Sequence, residues 1–159
     1  MKLWLKIRPL LIVAAFVFVA YILIQKVREM NYKTILKNVF ASLGVRGDLI
    51  PLAIAQAMNE SNSFKSHVFL VDNNCYGYTY AGQKNATQGT KSPDGGYYAH
   101  YVSIEDCATD VGGYLLRHES TFPINCTPLQ YATALKSLGY FGSDTVAYAK
   151  RITEFLNAA

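Results

Sequence analysis

The feature that most constrains this chain is an uncharged apolar run near its start, which reads LLIVAAFVFVAYILI over residues 10–24. A helix that spans a bilayer needs about 20 apolar residues, and roughly 17 is the lower limit. Trp4, Lys6 and Arg8 precede the run and suit a membrane interface, where long cationic side chains extend toward water. The sequence therefore predicts one transmembrane helix, with residues 9–25 in the lipid bilayer.

The alternative to an anchor is a cleaved signal peptide, which has a similar basic start and apolar centre. The segment after the run, QKVRE at residues 25–29, contains no small-x-small cleavage site. We therefore favour an uncleaved anchor over residues 1–30 and a single domain over residues 31–159, with a signal peptide or a buried core helix as the alternatives. Basic residues flank both ends of the run, so the charge pattern does not fix its orientation.

The positive charge of the chain is concentrated beside the apolar run. The formal net charge is +4, from fifteen Lys/Arg and eleven Asp/Glu. Five of the basic residues lie within the first 28 positions, which leaves ten against eleven acidic residues and a net charge of −1 over residues 29–159. A domain without a basic field lacks the electrostatic basis of nucleic-acid binding, so that class of function is excluded.

The remaining sequence predicts a mainly helical α+β domain with a small β element in its middle. Residues 76–101 alternate aromatic with small or polar residues around a Gly/Asn/Thr/Ser/Pro centre, which predicts a β-hairpin or a long polar loop with strand-like legs. The predicted helices, in chain order, are residues 32–43, a helix capped by Asp48, residues 64–70, and helices that begin at Ser103, Thr127 and Ser143.

The three cysteines, Cys75, Cys107 and Cys126, are too few and too scattered for a zinc site. An odd number permits at most one intramolecular disulfide. Pairing of Cys107 with Cys126 is favoured, because Cys75 stands where a buried apolar residue is expected, and three buried thiols are the equal alternative. No phosphate-binding loop or dinucleotide fingerprint occurs, so the sequence predicts neither a cofactor nor a metal.

Glu60 is the acidic residue that departs most from a solvated surface position. It closes the apolar segment LAIAQAMNE and is followed at once by a polar break. The C-terminal end of a buried helix is unfavourable for a negative charge, and both the helix dipole and desolvation favour a protonated carboxyl group there. A general acid requires that property, whereas a helix-end glutamate that points to water is the structural alternative.

Tyrosine is unusually frequent, with twelve in the chain. About half of such an aromatic set is expected to pack in the core, and an exposed remainder provides flat faces and hydroxyl groups that suit sugar rings. One carboxylate beside such a surface suits glycosidic chemistry. The candidate sugar-binding tyrosines around the predicted hairpin are Tyr76, Tyr78, Tyr97 and Tyr101.

Four segments in this order resemble the glucosaminidase domain of glycoside hydrolase family 73, which comprises bacterial endo-β-N-acetylglucosaminidases. The segments are LIPLAIAQAMNES, NNCYGYTYAG, HYVSIEDCATD and YATALKSLGYFGSDTVAYAKRI, and the resemblance covers residues 45–157. The chain departs from the family in three places. Residues 62–64 read Asn-Ser-Phe where members commonly have Gly-Trp-Gly, and the only tryptophan, Trp4, lies outside the domain. The segment between Gly-Tyr and Tyr-Ala, which reads FGSDTVA, is also longer than in the family.

The resemblance implies a lysozyme-like fold with a small β-hairpin lobe and hydrolysis of the peptidoglycan glycan strand at N-acetylglucosamine. It places Glu60 on the family's general acid and Tyr140 on its active-site tyrosine. Asp94 becomes the candidate second carboxylate of the hairpin lobe. Asn74 and Tyr148 lie in the matching motifs and are expected to contact the substrate.

Two other functions fit the same sequence. A lytic transglycosylase needs one acid and leaves anhydro-sugar ends, and a non-catalytic glycan-binding or structural module, including a component of a membrane-containing phage virion, would keep the fold. A peptidoglycan substrate lies outside the cytoplasm. We therefore expect a single-pass membrane protein whose domain is on the extracytoplasmic side.

Overall fold

The N-terminal run and the predicted helix over residues 32–43 form one helix. In the computed structural model, which describes residues 2–157 and the side chains from residue 14 onward, α1 spans Lys2–Leu43. No proline or glycine interrupts residues 25–31, which explains why the helix does not end there. It ends at Gly44, whose φ of +82° is the left-handed conformation that terminates helices.

The chain divides into two compact units, residues 1–32 and residues 33–159. In the first unit, the described side chains from Ala14 to Ile22 are exposed, and Phe16 is 72% exposed. Among the side chains that the structure describes, no helix offers a stretch long and apolar enough to cross a membrane. Residues 9–13 of the predicted span, and the predicted interfacial side chains of Trp4, Lys6 and Arg8, lie outside the described side chains.

The second unit is built around α2, which spans Leu49–Glu60. Its alanines Ala53, Ala55 and Ala57 are almost fully buried, and their small side chains allow close packing of neighbouring elements. α2 packs against α6 (Thr145–Asn157), which in turn packs against α5 (Pro128–Ser137). Glu60 is thereby placed at the end of a helix that is buried along most of its length.

The prediction that the Asp48 side chain caps α2 is wrong. Asp48 occupies the N-cap position, but its side chain makes no hydrogen bond to the helix. Arg46 instead donates to it from Nε at 2.6 Å and from Nη2 at 3.0 Å, and the Cys126 N–H donates at 3.2 Å. The Arg46 guanidinium lowers the pKa of Asp48, so this carboxylate ties the start of α2 to the segment before α5.

The helical predictions after residue 100 are confirmed. α4 spans Ile104–Arg117 and begins at Ser103, whose Oγ accepts from the Asp106 N–H at 3.2 Å. α5 begins with a capping box between Thr127 and Gln130. α6 starts one residue later than predicted, because the Asp144 side chain, rather than that of Ser143, accepts from the Ala147 N–H at 2.7 Å.

The hairpin lobe has two short antiparallel strands, β1 (Ala86–Lys91) and β2 (Tyr97–Tyr101). The first strand is polar and lies later in the chain than the aromatic leg that the sequence predicts. Tyr76 to Tyr80 form no strand of their own and join the lobe through an isolated bridge between Thr79 and Tyr98. The mainly helical α+β prediction is therefore confirmed, with the hairpin displaced toward residue 101.

The lobe is fastened to α3 (His67–Asp72) by a buried carboxylate. Asp72 is 1% exposed and accepts hydrogen bonds from the Thr90 N–H at 3.2 Å and the Thr90 hydroxyl at 2.5 Å. His100 Nδ1 lies 3.1 Å from its other oxygen. Gly89 faces the same carboxylate, since a Cβ built there would lie 2.5 Å from Asp72 Oδ1.

The favoured disulfide between Cys107 and Cys126 is wrong. All three cysteines are free and buried. The Sγ atom of Cys107 lies 3.7 Å from that of Cys75, on the segment that follows α3. Cys126 instead stands beside Asp48, where its backbone N–H is used.

Candidate active site

A cleft of about 580 Å³ opens beside the end of α2. Its walls come from the ends of α2 and α3, the segment of residues 74–79, β2, and residues 140–151. Six of the residues predicted from the sequence line it together, namely Glu60, Asn74, Tyr76, Tyr78, Tyr140 and Tyr148.

Glu60 is held by one of its two carboxyl oxygens. The Tyr148 hydroxyl donates to Oε1 at 2.6 Å, and Asn59 Nδ2 donates to the same atom at 3.1 Å. Within the described residues, Oε2 has no hydrogen-bond partner. Glu60 itself is half-buried. The arrangement fixes the carboxyl group while it leaves one oxygen available to a ligand.

Asn59 is itself oriented by a residue of α6. Arg151 Nε donates to Asn59 Oδ1 at 3.1 Å, which turns the amide nitrogen of Asn59 toward Glu60. The Arg151 guanidinium also lies 5.6 Å from the ring centroid of Tyr148. Sequence reasoning missed both Asn59 and Arg151, because the two are 92 positions apart and no local pattern connects them.

Tyr148 is fixed on several sides. Its ring stacks on Phe141 at 4.1 Å, and its hydroxyl donates to Glu60. Gln56, a buried residue of α2, accepts from the Tyr131 hydroxyl at 2.6 Å. Burial and the neighbouring Glu60 raise the pKa of Tyr148, so its hydroxyl remains a donor to the carboxyl group.

The other tyrosines of the cleft are also tied down. The Tyr140 hydroxyl donates to the Tyr76 carbonyl at 2.9 Å, and the Tyr76 hydroxyl donates to the Ala53 carbonyl at 2.7 Å. The rings of Tyr78 and Tyr140 meet edge to face at 5.9 Å. Burial raises the pKa of all three hydroxyls, which stay protonated.

Asn74 lines the cleft, but its side chain is engaged by the backbone. Its amide nitrogen donates to the carbonyls of Tyr78 at 2.8 Å and Ala99 at 3.0 Å, and its oxygen accepts from the Tyr78 N–H at 3.0 Å. Asn74 therefore braces the segment of residues 74–78 against β2. Both of its amide hydrogens are unavailable to a substrate.

Three predicted residues lie elsewhere. Asp94 is exposed in the turn between β1 and β2 and does not line the cleft. Tyr97 is 43% exposed on β2, outside the cleft, and Tyr101 is fully buried. In the part of the chain that the structure describes, no three or more His, Cys, Asp or Glu side chains stand together as a metal site would require.

A helical body with a hairpin lobe, and one carboxyl group among aromatic rings in a cleft, define a glycoside hydrolase. The chain belongs to the Glucosaminidase family, described as mannosyl-glycoprotein endo-β-N-acetylglucosaminidase, whose model matches residues 35–159. No curated protein sequence matches the chain significantly.

Solved structures with the same fold include three bacterial proteins. A type VI secretion system effector–immunity complex from Pseudomonas protegens is similar with a TM-score of 0.60 at 18% identity, over 82% of this chain and 86% of that chain. The catalytic domain of the autolysin Auto from Listeria monocytogenes has a TM-score of 0.57 at 19% identity, over 84% and 83%. A peptidoglycan hydrolase from Sphingomonas sp. A1 has a TM-score of 0.60 at 15% identity, over 79% and 87%.

Proposed function

We propose that this protein cleaves the glycan strand of peptidoglycan at N-acetylglucosamine, with Glu60 as the general acid. The observation that carries the proposal is the Glu60 carboxyl group, held through Oε1 by Tyr148 and Asn59 and open at Oε2. A protonated carboxyl group places its proton on the oxygen that does not accept those two hydrogen bonds. That oxygen is the one free to protonate the leaving group of a glycosidic bond.

Two proteins of the same fold, an autolysin and a peptidoglycan hydrolase, support peptidoglycan as the substrate. The aromatic walls of the cleft fit the same substrate, because sugar rings pack their C–H faces on tyrosine. The cleft volume of about 580 Å³ lies within the usual range for ligand sites.

The second half of the reaction needs support on the opposite face of the sugar. Glu60 is the only carboxylate among the described residues that line the cleft, and Asp94 stands outside it. We favour assistance by the substrate's own N-acetyl group. The Tyr140 oxygen, whose hydrogen is donated to the Tyr76 carbonyl, is free to accept from the acetamido N–H.

A cleft with one carboxylate also favours a second candidate, a lytic transglycosylase. In that reaction the sugar's own hydroxyl closes the anhydro ring, and no water is activated. Mass spectrometry of digested wall separates the two reactions. Hydrolysis adds one water across the cleaved bond, whereas the anhydro product lacks it.

Glu60→Gln tests the acid directly. The glutamine keeps an oxygen that accepts from Tyr148 and Asn59 but has no proton to transfer, so wall digestion should fall about 10²–10⁴-fold with the fold retained. Glu105→Gln, an exposed carboxylate on α4 outside the cleft, is the matched control and should leave activity unchanged. A loss below about tenfold removes Glu60 from this role.

Asp94→Asn separates the two mechanisms. Under substrate assistance its loss should be small beside that of Glu60→Gln. A loss of equal size would instead assign Asp94 as a second carboxylate that reaches the sugar when the hairpin moves.

We further propose that the first unit anchors the domain in a membrane, with the domain on the extracytoplasmic side. Apolar side chains on this part of α1 are exposed, including Phe16, Phe18 and Leu23. The basic residues before and after the run suit the lipid headgroups. A peptidoglycan substrate requires the domain to lie outside the cytoplasm.

A further inference from the structure

A second cavity of about 360 Å³ adjoins the Glu60 cleft. Tyr78 lines both, and its ring belongs to a cluster with Tyr114 of the second cavity and Tyr140 of the cleft. The ring centroids are 6.3 Å apart for Tyr78 and Tyr114, and 6.5 Å apart for Tyr114 and Tyr140. The Tyr78 ring is therefore part of the wall of both cavities.

Two cations line the second cavity. Lys84 and Arg117 are both exposed there, and neither forms a hydrogen bond or an ion pair with a residue that the structure describes. The Arg117 guanidinium lies over Gly113, where a Cβ would stand 3.3 Å from Nη1. The absence of a side chain at Gly113 leaves room for the planar guanidinium against the helix.

The one carboxylate of this cavity, Asp110, is directed inward. Its Oδ1 accepts from Asn85 Nδ2 at 2.9 Å, and its Oδ2 is shielded from solvent. Burial raises the pKa of Asp110, and the Arg117 charge opposes that shift. The cavity is therefore lined by two cations and one carboxylate, and the excess positive charge favours an anionic ligand.

We propose that this second cavity binds the carboxylates of the peptide stem that peptidoglycan carries on N-acetylmuramic acid, while the glycan occupies the Glu60 cleft. The inference rests on the proposed function and deepens it. Every second sugar of that polymer bears a lactyl-linked peptide with free carboxylates, so an anion is present beside the glycan. A guanidinium binds a carboxylate through two parallel hydrogen bonds, and Lys84 adds a second positive charge.

The test compares one pair of variants on two substrates. Lys84→Gln/Arg117→Gln removes both cations, and Lys65→Gln/Lys150→Gln removes two exposed cations that line neither cavity. The substrates are glycan strands that carry their stems and the same strands after an amidase has removed the stems. The full-length protein is assayed for kcat/KM on each.

We expect the Lys84/Arg117 variant to lose about tenfold in kcat/KM on the stem-bearing strands, mainly through KM, as the loss of two charge-assisted contacts implies. On stripped strands the kcat/KM of the Lys84/Arg117 variant should equal that of the unmodified protein. The kcat/KM of the Lys65/Lys150 variant should equal that of the unmodified protein on both substrates.

An equal loss on both substrates, or no loss on either, overturns the stem-binding inference and leaves Glu60 chemistry intact. Failure of the unmodified protein to cleave either substrate overturns the proposed function instead, and the inference falls with it. The two failures are thus distinguishable within one experiment.

Discussion

At the scale of single residues, the Tyr148 hydroxyl orients the Glu60 carboxyl group by donating a hydrogen bond to Oε1. Tyr148→Phe keeps the ring stack on Phe141 and removes only the donor to Oε1. Because a neutral hydrogen bond contributes about 0.5–1.5 kcal/mol, kcat on wall glycan should fall by about threefold to tenfold with a small change in KM. Tyr97→Phe, whose ring lies outside the cleft, is the control. A Tyr148→Phe enzyme that keeps its full kcat would show that Glu60 needs no such positioning.

We expect Arg151 to act through Asn59, to which it donates a hydrogen bond, rather than on the substrate bond. Arg151→Ala frees the Asn59 amide to rotate away from Glu60, so kcat should fall by about threefold to tenfold, the equivalent of one neutral hydrogen bond. The same substitution at its exposed neighbour Lys150 should have no effect. If Arg151 acts only through Asn59, the double variant Asn59→Ala/Arg151→Ala should lose no more kcat than the more impaired single variant. Additive losses would show that Arg151 works separately.

The sequence indicates the cleft residues by two routes. Glu60 is conspicuous because it ends an apolar helix, whereas Tyr140 and Tyr148 are implied by the resemblance of their motifs to those of the family. Sequence reasoning did not separate Tyr101 from Tyr97, because strand alternation gives the face on which a residue lies but not its distance from the core. The two tyrosines share one face of β2, yet Tyr97 at the start of the strand is exposed and Tyr101 at its end is fully buried.

At the scale of elements, the hairpin lobe depends on the contact between Gly89 of β1 and Asp72 of α3. Gly89→Ala places a methyl group 2.5 Å from Asp72 Oδ1, so it should lower the free energy of unfolding by about 1–3 kcal/mol. Gly142→Ala is the matched control, since nothing lies within 4 Å of its Cβ position, and it should change stability by less than about 0.5 kcal/mol. Urea unfolding measures both. Equal stability of the two variants would show that the lobe is not fastened here.

The elements that the sequence located are those with their own end signals. Ser103 and Thr127 cap α4 and α5 as predicted, because each cap needs only residues within one turn. Asp48 carries the same signal and fails, since Arg46 and the distant Cys126 take its oxygens. The position of β1 was missed for a similar reason. The Asn74 side chain bonds both Tyr78 and the Ala99 carbonyl and so holds the aromatic residues in an irregular segment. Ala99 is 25 positions away, so no local sequence pattern predicts this contact.

At the scale of the whole molecule, the proposed topology has a direct test. Protease added to intact spheroplasts should remove the domain of residues 33–159, because that domain is proposed to lie outside the membrane. Detergent should add no further cleavage of the domain. Protection until the membrane is dissolved would refute this orientation.

The buried thiols of Cys75 and Cys107 offer a chemical probe of local opening of the fold. Both thiols are buried, and burial raises the pKa of Cys75, so we expect neither to react with an alkylating reagent while the fold is closed. The pair joins the segment after α3 to α4, and a reagent reaches it only when those two elements part. The alkylation rate of the two thiols should therefore report how often the segment after α3 separates from α4.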